Sequence, residues 1–312
     1  MHRASTRTVA TLAAASLFSL AACGDDTEAG DGGLAGVAIG GEPGSAPEVE
    51  WDGRMEVTET ESEVLVEGDG PEVAEGASAI VNVWIGNGHT SEKALSSYDE
   101  GASPEVLNAD DQISPAFEEA LAGHTVGSRV AVAAPPEDAF GEGGQPQLGL
   151  GNGDTVLFVV DIVDTVLDGP QGEEQPTPDG APELVEADGV PTGFETAGVA
   201  APDGLQVHTL VEGDGAEVER GQTVVVDYLG QVLAGKAREP FDQTYERGQP
   251  AQFPIGTGAV IQGWDRALVG STVGSRLVLV VPSRLGYGQQ GSGEQIEPGD
   301  DLVFVVDVRG AV

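Results

Sequence analysis

Cysteine occurs once in the 312 residues, at Cys23, so no intramolecular disulfide can form and no paired-cysteine redox or metal motif exists. Basic side chains are few: 13 Lys and Arg stand against 53 Asp and Glu, for a formal charge of -40. Such a chain repels phosphate, which excludes nucleic acid as a partner. Histidine is nearly as scarce. Beyond the N-terminal segment only His89, His124 and His208 occur, far apart and without the close spacing of a metal site. Neither a nucleophile-elbow Gly-x-Ser-x-Gly nor a P-loop is present, and no cofactor is implied. Aromatics make up only 5% of the chain. No apolar run reaches the roughly 20 residues of a membrane-spanning helix.

What the chain has in quantity is glycine (47 residues) and proline (19). This suits turn-rich β structure joined by flexible segments. The length allows two domains of ordinary size. The acidity is read as a device for solubility, with salt adaptation or loose cation attraction as alternatives.

Residues 1–22 read as a signal peptide. Arg3 and Arg7 precede a short apolar run from Val9 to Ala22. The run ends in Leu20-Ala21-Ala22-Cys23, which resembles a bacterial lipobox. The implied chain is lipidated on Cys23, lies outside the cytoplasmic membrane, and touches the membrane only through its lipid anchor. Acyl chains contribute roughly 0.8 kcal/mol per buried CH₂, so several hold firmly. Residues 23–49 are rich in Gly, Pro and acids without a sustained period, and are expected to form a disordered tether.

The rest of the chain is a tandem duplication. LVEGDG occurs at Leu65 to Gly70 and again at Leu210 to Gly215. LAGHTVGSRVAVAAPPEDAFG (Leu121 to Gly141) parallels LVGSTVGSRLVLVVPSRLGYG (Leu268 to Gly288), and DTVLFVVDIVD (Asp154 to Asp164) parallels DDLVFVVDVRG (Asp300 to Gly310). Two long copies make a duplication rather than a solenoid. The first is assigned residues 50–167 and the second 190–312. Residues 168–189, with four prolines and many acids, read as a linker, and the entry to the second copy could add an edge strand. Gln222 to Leu229, Arg276 to Val281 and Leu302 to Val308 are β-branched, apolar strands. Trp264 to Val269 is the one good helix candidate, with Trp264 and Leu268 on one face. Each copy is therefore expected to be α+β, an antiparallel sheet wrapped on one short helix.

The second copy resembles an FKBP-type peptidyl-prolyl cis-trans isomerase. The resemblance rests on VVVDYLG (Val224 to Gly230), FDQTYERGQP (Phe241 to Pro250), FPIGTGAVIQGWDRALVGSTVGSR (Phe253 to Arg276) and LGYG with DDLVFVVDV (Leu285 to Val308). It implies two tandem FKBP-like domains and a pocket in the second. Trp264 would form the floor, and Tyr228, Phe241, Val260, Ile261, Tyr287 and Phe304 the walls, with Ile296 kept in the loop beyond Tyr287. Asp242 would accept from the Tyr228 hydroxyl and form a buried pair with Arg247. The Ile261 N–H and the Tyr287 hydroxyl would bond substrate carbonyls. Substrates would be proline-containing unfolded or exported polypeptides, and macrolides would be inhibitors. Ala251 stands where the family usually has an aromatic, and Ser292 and Gln295 replace its usual histidine and aliphatic residue. A non-catalytic chaperone or partner-binding lipoprotein on the same fold is the alternative.

Laid in register by residue type, the first copy offers Phe117 for Trp264, Phe140 for Tyr287, Ile113-Ser114 for Val260-Ile261, Trp84 for Tyr228 and Tyr98-Asp99 for Phe241-Asp242. Nothing replaces Arg247. The first domain is thus expected to keep the fold and to lose most of the site.

Overall fold

The computed structural model describes residues 33–107, 113–234 and 239–312. The signal segment, Cys23 and the first part of the expected tether lie outside them. None of the described helices is long and apolar enough to cross a membrane.

The chain opens with a hairpin of β1 (Val37–Gly40) and β2 (Glu48–Trp51). Then come β3 (Glu61–Val66), β4 (Ala79–Asn87), β5 (Glu92–Ser96), β6 (Glu105–Leu107), α1 (Pro115–Leu121), β7 (Arg129–Ala134), the one-turn α2 (Pro136–Ala139) and β8 (Val156–Thr165). The strands form an antiparallel sheet in the order β3-β7-β8-β4-β5, with β6 also on β4. The second half repeats the plan. It comprises β9 (Gly172–Glu174), a hairpin of β10 (Glu183–Ala187) and β11 (Val190–Glu195), β12 (Gln206–Gly213), β13 (Thr223–Val232), β14 (Asp242–Gln243), β15 (Ala251–Pro254), α3 (Gln262–Leu268), β16 (Arg276–Val281) and β17 (Leu302–Ala311). Its sheet runs β9-β12-β16-β17-β13-β14, with β15 on β13.

Strand periodicity assigns every second side chain to one face. In β13, β16 and β17 the front face carries Tyr228, Leu279, Phe304 and Val306 onto α3. The back face carries Leu229, Val278, Val280, Val303 and Val305, and these too are buried. Both faces are covered, which is why these strands read as unbroken apolar runs.

The cover on the back comes from the two segments read as tether and linker, and here the structure departs from the sequence reading. Leu34, Val37, Ile39, Val49 and Trp51 from the β1–β2 segment pack on Met55, Trp84, Leu157 and Val159. Leu184 and Phe194 from β10–β11 pack on the second sheet. Composition suggested disorder because these segments are acidic and Gly-rich, but alternating Glu48-Val49-Glu50-Trp51 has one apolar edge to bury. Arg129 adds a polar lock. Its side chain is 1% exposed and pairs with Asp161 at 2.6 Å. It also donates to the Gly41 carbonyl at 3.0 Å and the Ser45 carbonyl at 2.6 Å in the hairpin loop. In the second domain Arg276 pairs with Asp307 at 2.6 Å and reaches Glu186 of β10 at 2.7 Å. The repeated unit is therefore hairpin plus sheet. The entry to the second copy does not supply the edge strand: Val190–Glu195 pairs with β10 in a separate hairpin, and the edge of the sheet is the short β9, from the segment read as linker, on β12.

Candidate active site

Cross-strand pairing positions the front of the second sheet. Tyr228 sits on β13 opposite Val306, and Gly230 opposite Phe304. Gly230 has to lack a side chain, since a Cβ there would lie 2.6 Å from Phe241 and 2.7 Å from Phe304. Helix α3 lies against β16 through Gly263, where a Cβ would meet Val281 at 2.6 Å. The helix entry is pinned by Asp265, which accepts from the N–H groups of Gly256 at 2.7 Å and Gly258 at 2.8 Å. Both glycines have positive φ, 75° and 83°, as a tight turn at Gly256-Thr257-Gly258 requires.

This scaffold delivers Trp264 to the bottom of a cavity of about 420 Å³. The indole is 4% exposed. Three rings meet it edge to face: Tyr228 at 5.2 Å, Phe253 at 5.3 Å and Phe304 at 5.5 Å between centroids. Phe241 packs on Phe304 at 5.8 Å. Such contacts hold the rings at fixed angles and contribute about 0.5–1.5 kcal/mol per pair beyond burial. Val260 and Ile261 complete the wall, and Tyr287 stands at the rim, 38% exposed. Ile261 is the N-cap of α3, so its N–H is outside the helix ladder.

The polar groups sit at the mouth. The Tyr228 hydroxyl donates to the Asp242 carboxylate, which also receives Arg247 at 3.1 Å. The Tyr228 phenol is held above its ordinary ionisation range, by burial first and then by the hydrogen bond to Asp242 and its charge. Tyr287 is raised by burial and, less, by the Asp242 charge. Both are neutral donors at physiological pH.

The structure therefore gathers Tyr228, Phe241, Asp242, Val260, Ile261, Trp264, Tyr287 and Phe304 around one cavity. Arg247 belongs to the site only through Asp242. The pair was expected to be buried, but the side chains are 58% and 44% exposed, so it is a rim contact of small energetic weight. Ile296 is buried in the core and exchanges backbone hydrogen bonds with Ser292, bracing the loop instead of lining the cavity. Sequence reasoning missed Phe253 and Ala259 as lining residues. Phe253 was detectable: it lies two residues beyond Ala251, on the same face of β15, and supplies the aromatic that Ala251 does not.

The first domain corrects the register laid by residue type. Ile85 pairs with Phe158 as Gly230 pairs with Phe304, so Val83 occupies the place of Tyr228. Trp84 corresponds to Leu229 and faces the hairpin on the back of the sheet. Leu95 pairs with Ile85 as Asp242 pairs with Gly230, so Leu95 stands for Asp242 and Ala94 for Phe241. Tyr98 is the counterpart of Tyr245. Its hydroxyl bonds Asp161 as that of Tyr245 bonds Asp307. Phe117 and Phe140 do take the places of Trp264 and Tyr287, but both lean on Phe158, at 4.8 and 5.7 Å. Of the hydrogen-bonding side chains of the mouth, Tyr228, Asp242 and Tyr287 are replaced by the apolar Val83, Leu95 and Phe140, and Arg247 falls opposite the acidic Glu100.

Comparison with known proteins gives the same division. The family described as FKBP-type peptidyl-prolyl cis-trans isomerase matches residues 73–163 and 215–309. The chain belongs to this family. An FK506-binding protein of Streptomyces anulatus is 44% identical over 108 residues, covering 34% of this chain and 86% of that protein. A probable FK506-binding protein of Corynebacterium glutamicum is 37% identical over 111 residues, covering 36% and 90%. Among solved structures, AtFKBP13 is 31% identical, covers 36% of this chain and 97% of that one, and has a TM-score of 0.33. The chain is thus an FKBP-type isomerase of two tandem domains.

Proposed function

We propose that the second domain carries the isomerase activity and that it works by removing water from an X–Pro amide. Rotation about a peptide bond faces a barrier of about 18–20 kcal/mol, set by amide resonance. Resonance places charge on the amide oxygen, and water stabilises that charge. In the twisted transition state the charge separation is lost, so transfer into an apolar cavity penalises the planar amide more than the twisted one. The observation that carries this reading is the floor itself: one indole ringed by Tyr228, Phe253 and Phe304, with the carboxylate of Asp242 and the hydroxyls of Tyr228 and Tyr287 at the mouth and only the buried Trp264 N–H as a polar group at the floor. A proline ring fits against the indole. The Ile261 N–H and the Tyr287 hydroxyl then hold the carbonyls on either side of the bond, which orients it without stabilising the planar form. No acid, base or nucleophile is needed.

Proline-containing polypeptides are the substrates, and macrolides that mimic them compete for the cavity. With Cys23 lipidated, the work is done on exported chains outside the cytoplasmic membrane. The first domain, with Val83, Leu95 and Phe140 in place of the mouth, is a non-catalytic partner. In the full chain, Tyr287→Phe should lower kcat/KM on X–Pro peptides about tenfold, and an unchanged value would sink the role given to its hydroxyl. Cys23→Ser should release the protein from membranes, whereas continued attachment would contradict lipidation.

A further inference from the structure

Behind the cavity a chain of hydrogen bonds runs to the junction between the domains. The Thr244 N–H donates to the Tyr228 carbonyl at 2.9 Å, and the Tyr228 N–H donates to Thr244 Oγ1 at 2.9 Å. Thr244 thereby fastens the turn after β14, the strand that presents Asp242, to the strand that presents Tyr228. The same hydroxyl donates to Asp227 Oδ1 at 2.7 Å. The other carboxylate oxygen, Asp227 Oδ2, receives Arg309 at 2.9 Å. The Arg309 Nε donates to the carbonyl of Leu167, the last residue of the first domain, and the Leu167 N–H returns a bond to the Arg309 carbonyl at 3.0 Å. Beside this clamp Ile80 and Val166 of the first domain are buried against Val225 of the second.

The duplication provides an internal control. In the first domain Ser97 repeats the pin, bonding Val83 N–H at 2.9 Å and the Asn82 side chain at 3.0 Å. The charged arm is missing. Asn82 stands for Asp227, and Val163, 42% exposed, stands for Arg309. Both Val163 and Arg309 are the extra residue of a β-bulge, since the partners skip from Asp164 to Ile162 and from Gly310 to Val308. A bulge re-aims one side chain out of the alternation. In the first domain the re-aimed residue meets solvent, and in the second it meets the neighbouring domain and a carboxylate that is 12% exposed. The charged link exists only in the copy that keeps the mouth residues.

We propose that Arg309 is a positioning residue for the isomerase site, which holds Tyr228 and Asp242 in register through Asp227 and Thr244 and takes its own footing from Leu167 of the first domain. The degenerate domain is then a buttress for the active one. This rests on the assignment of the activity to the second domain.

The test uses the full chain and the variants Arg309→Met, Thr244→Val and their combination. Two readouts are taken: kcat/KM on an X–Pro peptide, and the indole N–H resonance of Trp264, assigned with Trp264→Phe. Each single variant should lower kcat/KM about tenfold, mainly through kcat, and shift the Trp264 resonance. The combined variant should lose no more than either one, because the residues act in series. Arg309→Lys keeps a charge beside Asp227 but lacks the fork that also reaches Leu167, so it should restore the rate only in part. Losses that add, full restoration by lysine, or an unmoved Trp264 resonance would overturn the proposal. If Arg309→Met does not fold, Asp227→Asn gives the same comparison with the shape kept. A wild-type chain without isomerase activity would contradict the parent assignment, and the Trp264 resonance would still decide this one.

Discussion

Trp51 packs against Trp84 with ring centroids 6.5 Å apart, and this contact joins the β1–β2 hairpin to the back of the first sheet. It makes the segment before the first domain part of that domain. Trp84→Ala should therefore cost about 3–5 kcal/mol of first-domain stability, as deletion of a buried aromatic does. Chemical denaturation followed by tryptophan fluorescence would measure it. A cost below 1 kcal/mol would mean the hairpin is not docked in solution.

The Arg129 side chain holds Asp161 and the hairpin carbonyls together with almost no exposure. Arg129→Met leaves Asp161 buried without its counter-ion, keeping only the Tyr98 hydroxyl and the Gly44 N–H, a loss of about 3–5 kcal/mol for the first domain. The Gly41 and Ser45 amides should then exchange faster with solvent, while those of β10 and β11 keep their protection.

Both domains keep a cavity, that of the first lined by Ile113, Ser114, Phe117 and Phe140, and Gly230 marks a difference in how they are walled. In the first domain Ile85 occupies that place, and Ala94 replaces Phe241 to make room. Gly230→Ala puts a Cβ within 2.7 Å of Phe241 and Phe304. The rings must move, so kcat/KM should fall about tenfold or more with the second domain still folded. Restoration by a compensating Phe241→Ala would not follow, because that removes a wall of the cavity.

All four tyrosines, Tyr98, Tyr228, Tyr245 and Tyr287, have phenols shifted above the ordinary value of 10, each by burial first. The folded state thus holds these protons more tightly than the unfolded chain. The stabilisation is fully present below pH about 10 and is lost as pH rises beyond it. Tyrosinate absorbance at pH 10 should be lower in the native protein than in the unfolded chain and should rise with unfolding. Half-ionised tyrosine at pH 10 in a folded sample would contradict the burial of the site.

Much of this was legible in the sequence, and the misreadings have physical causes. VIQGW with the VGSR turn located the cavity floor because a short helix and its glycine must approach β16 closely. Register could not be read from residue type. Matching Trp84 to Tyr228 paired two aromatics, but a slip of one residue turns a side chain to the opposite face, and backbone pairing gives Val83 that place. The Asp242 position slipped by more, because the connection from β4 to β5 is shorter than that from β13 to β14. The hairpins were hidden by composition. The clue lay elsewhere, in the unbroken Leu277 to Val281 run: an antiparallel strand apolar on both faces requires cover on both. Arg309 gave no signal of its own, since its role depends on a bulge.

The central claim is that one cavity, and not its duplicate, catalyses. Proline-limited refolding of a substrate protein, followed with full-length Trp264→Ala and with full-length Phe117→Ala, tests it most directly. Trp264→Ala should reduce the acceleration at least about tenfold and remove its sensitivity to an FKBP-directed macrolide, while Phe117→Ala leaves both unchanged. A comparable loss in Phe117→Ala, or an undiminished rate in folded Trp264→Ala, would contradict the assignment of the activity to the second domain.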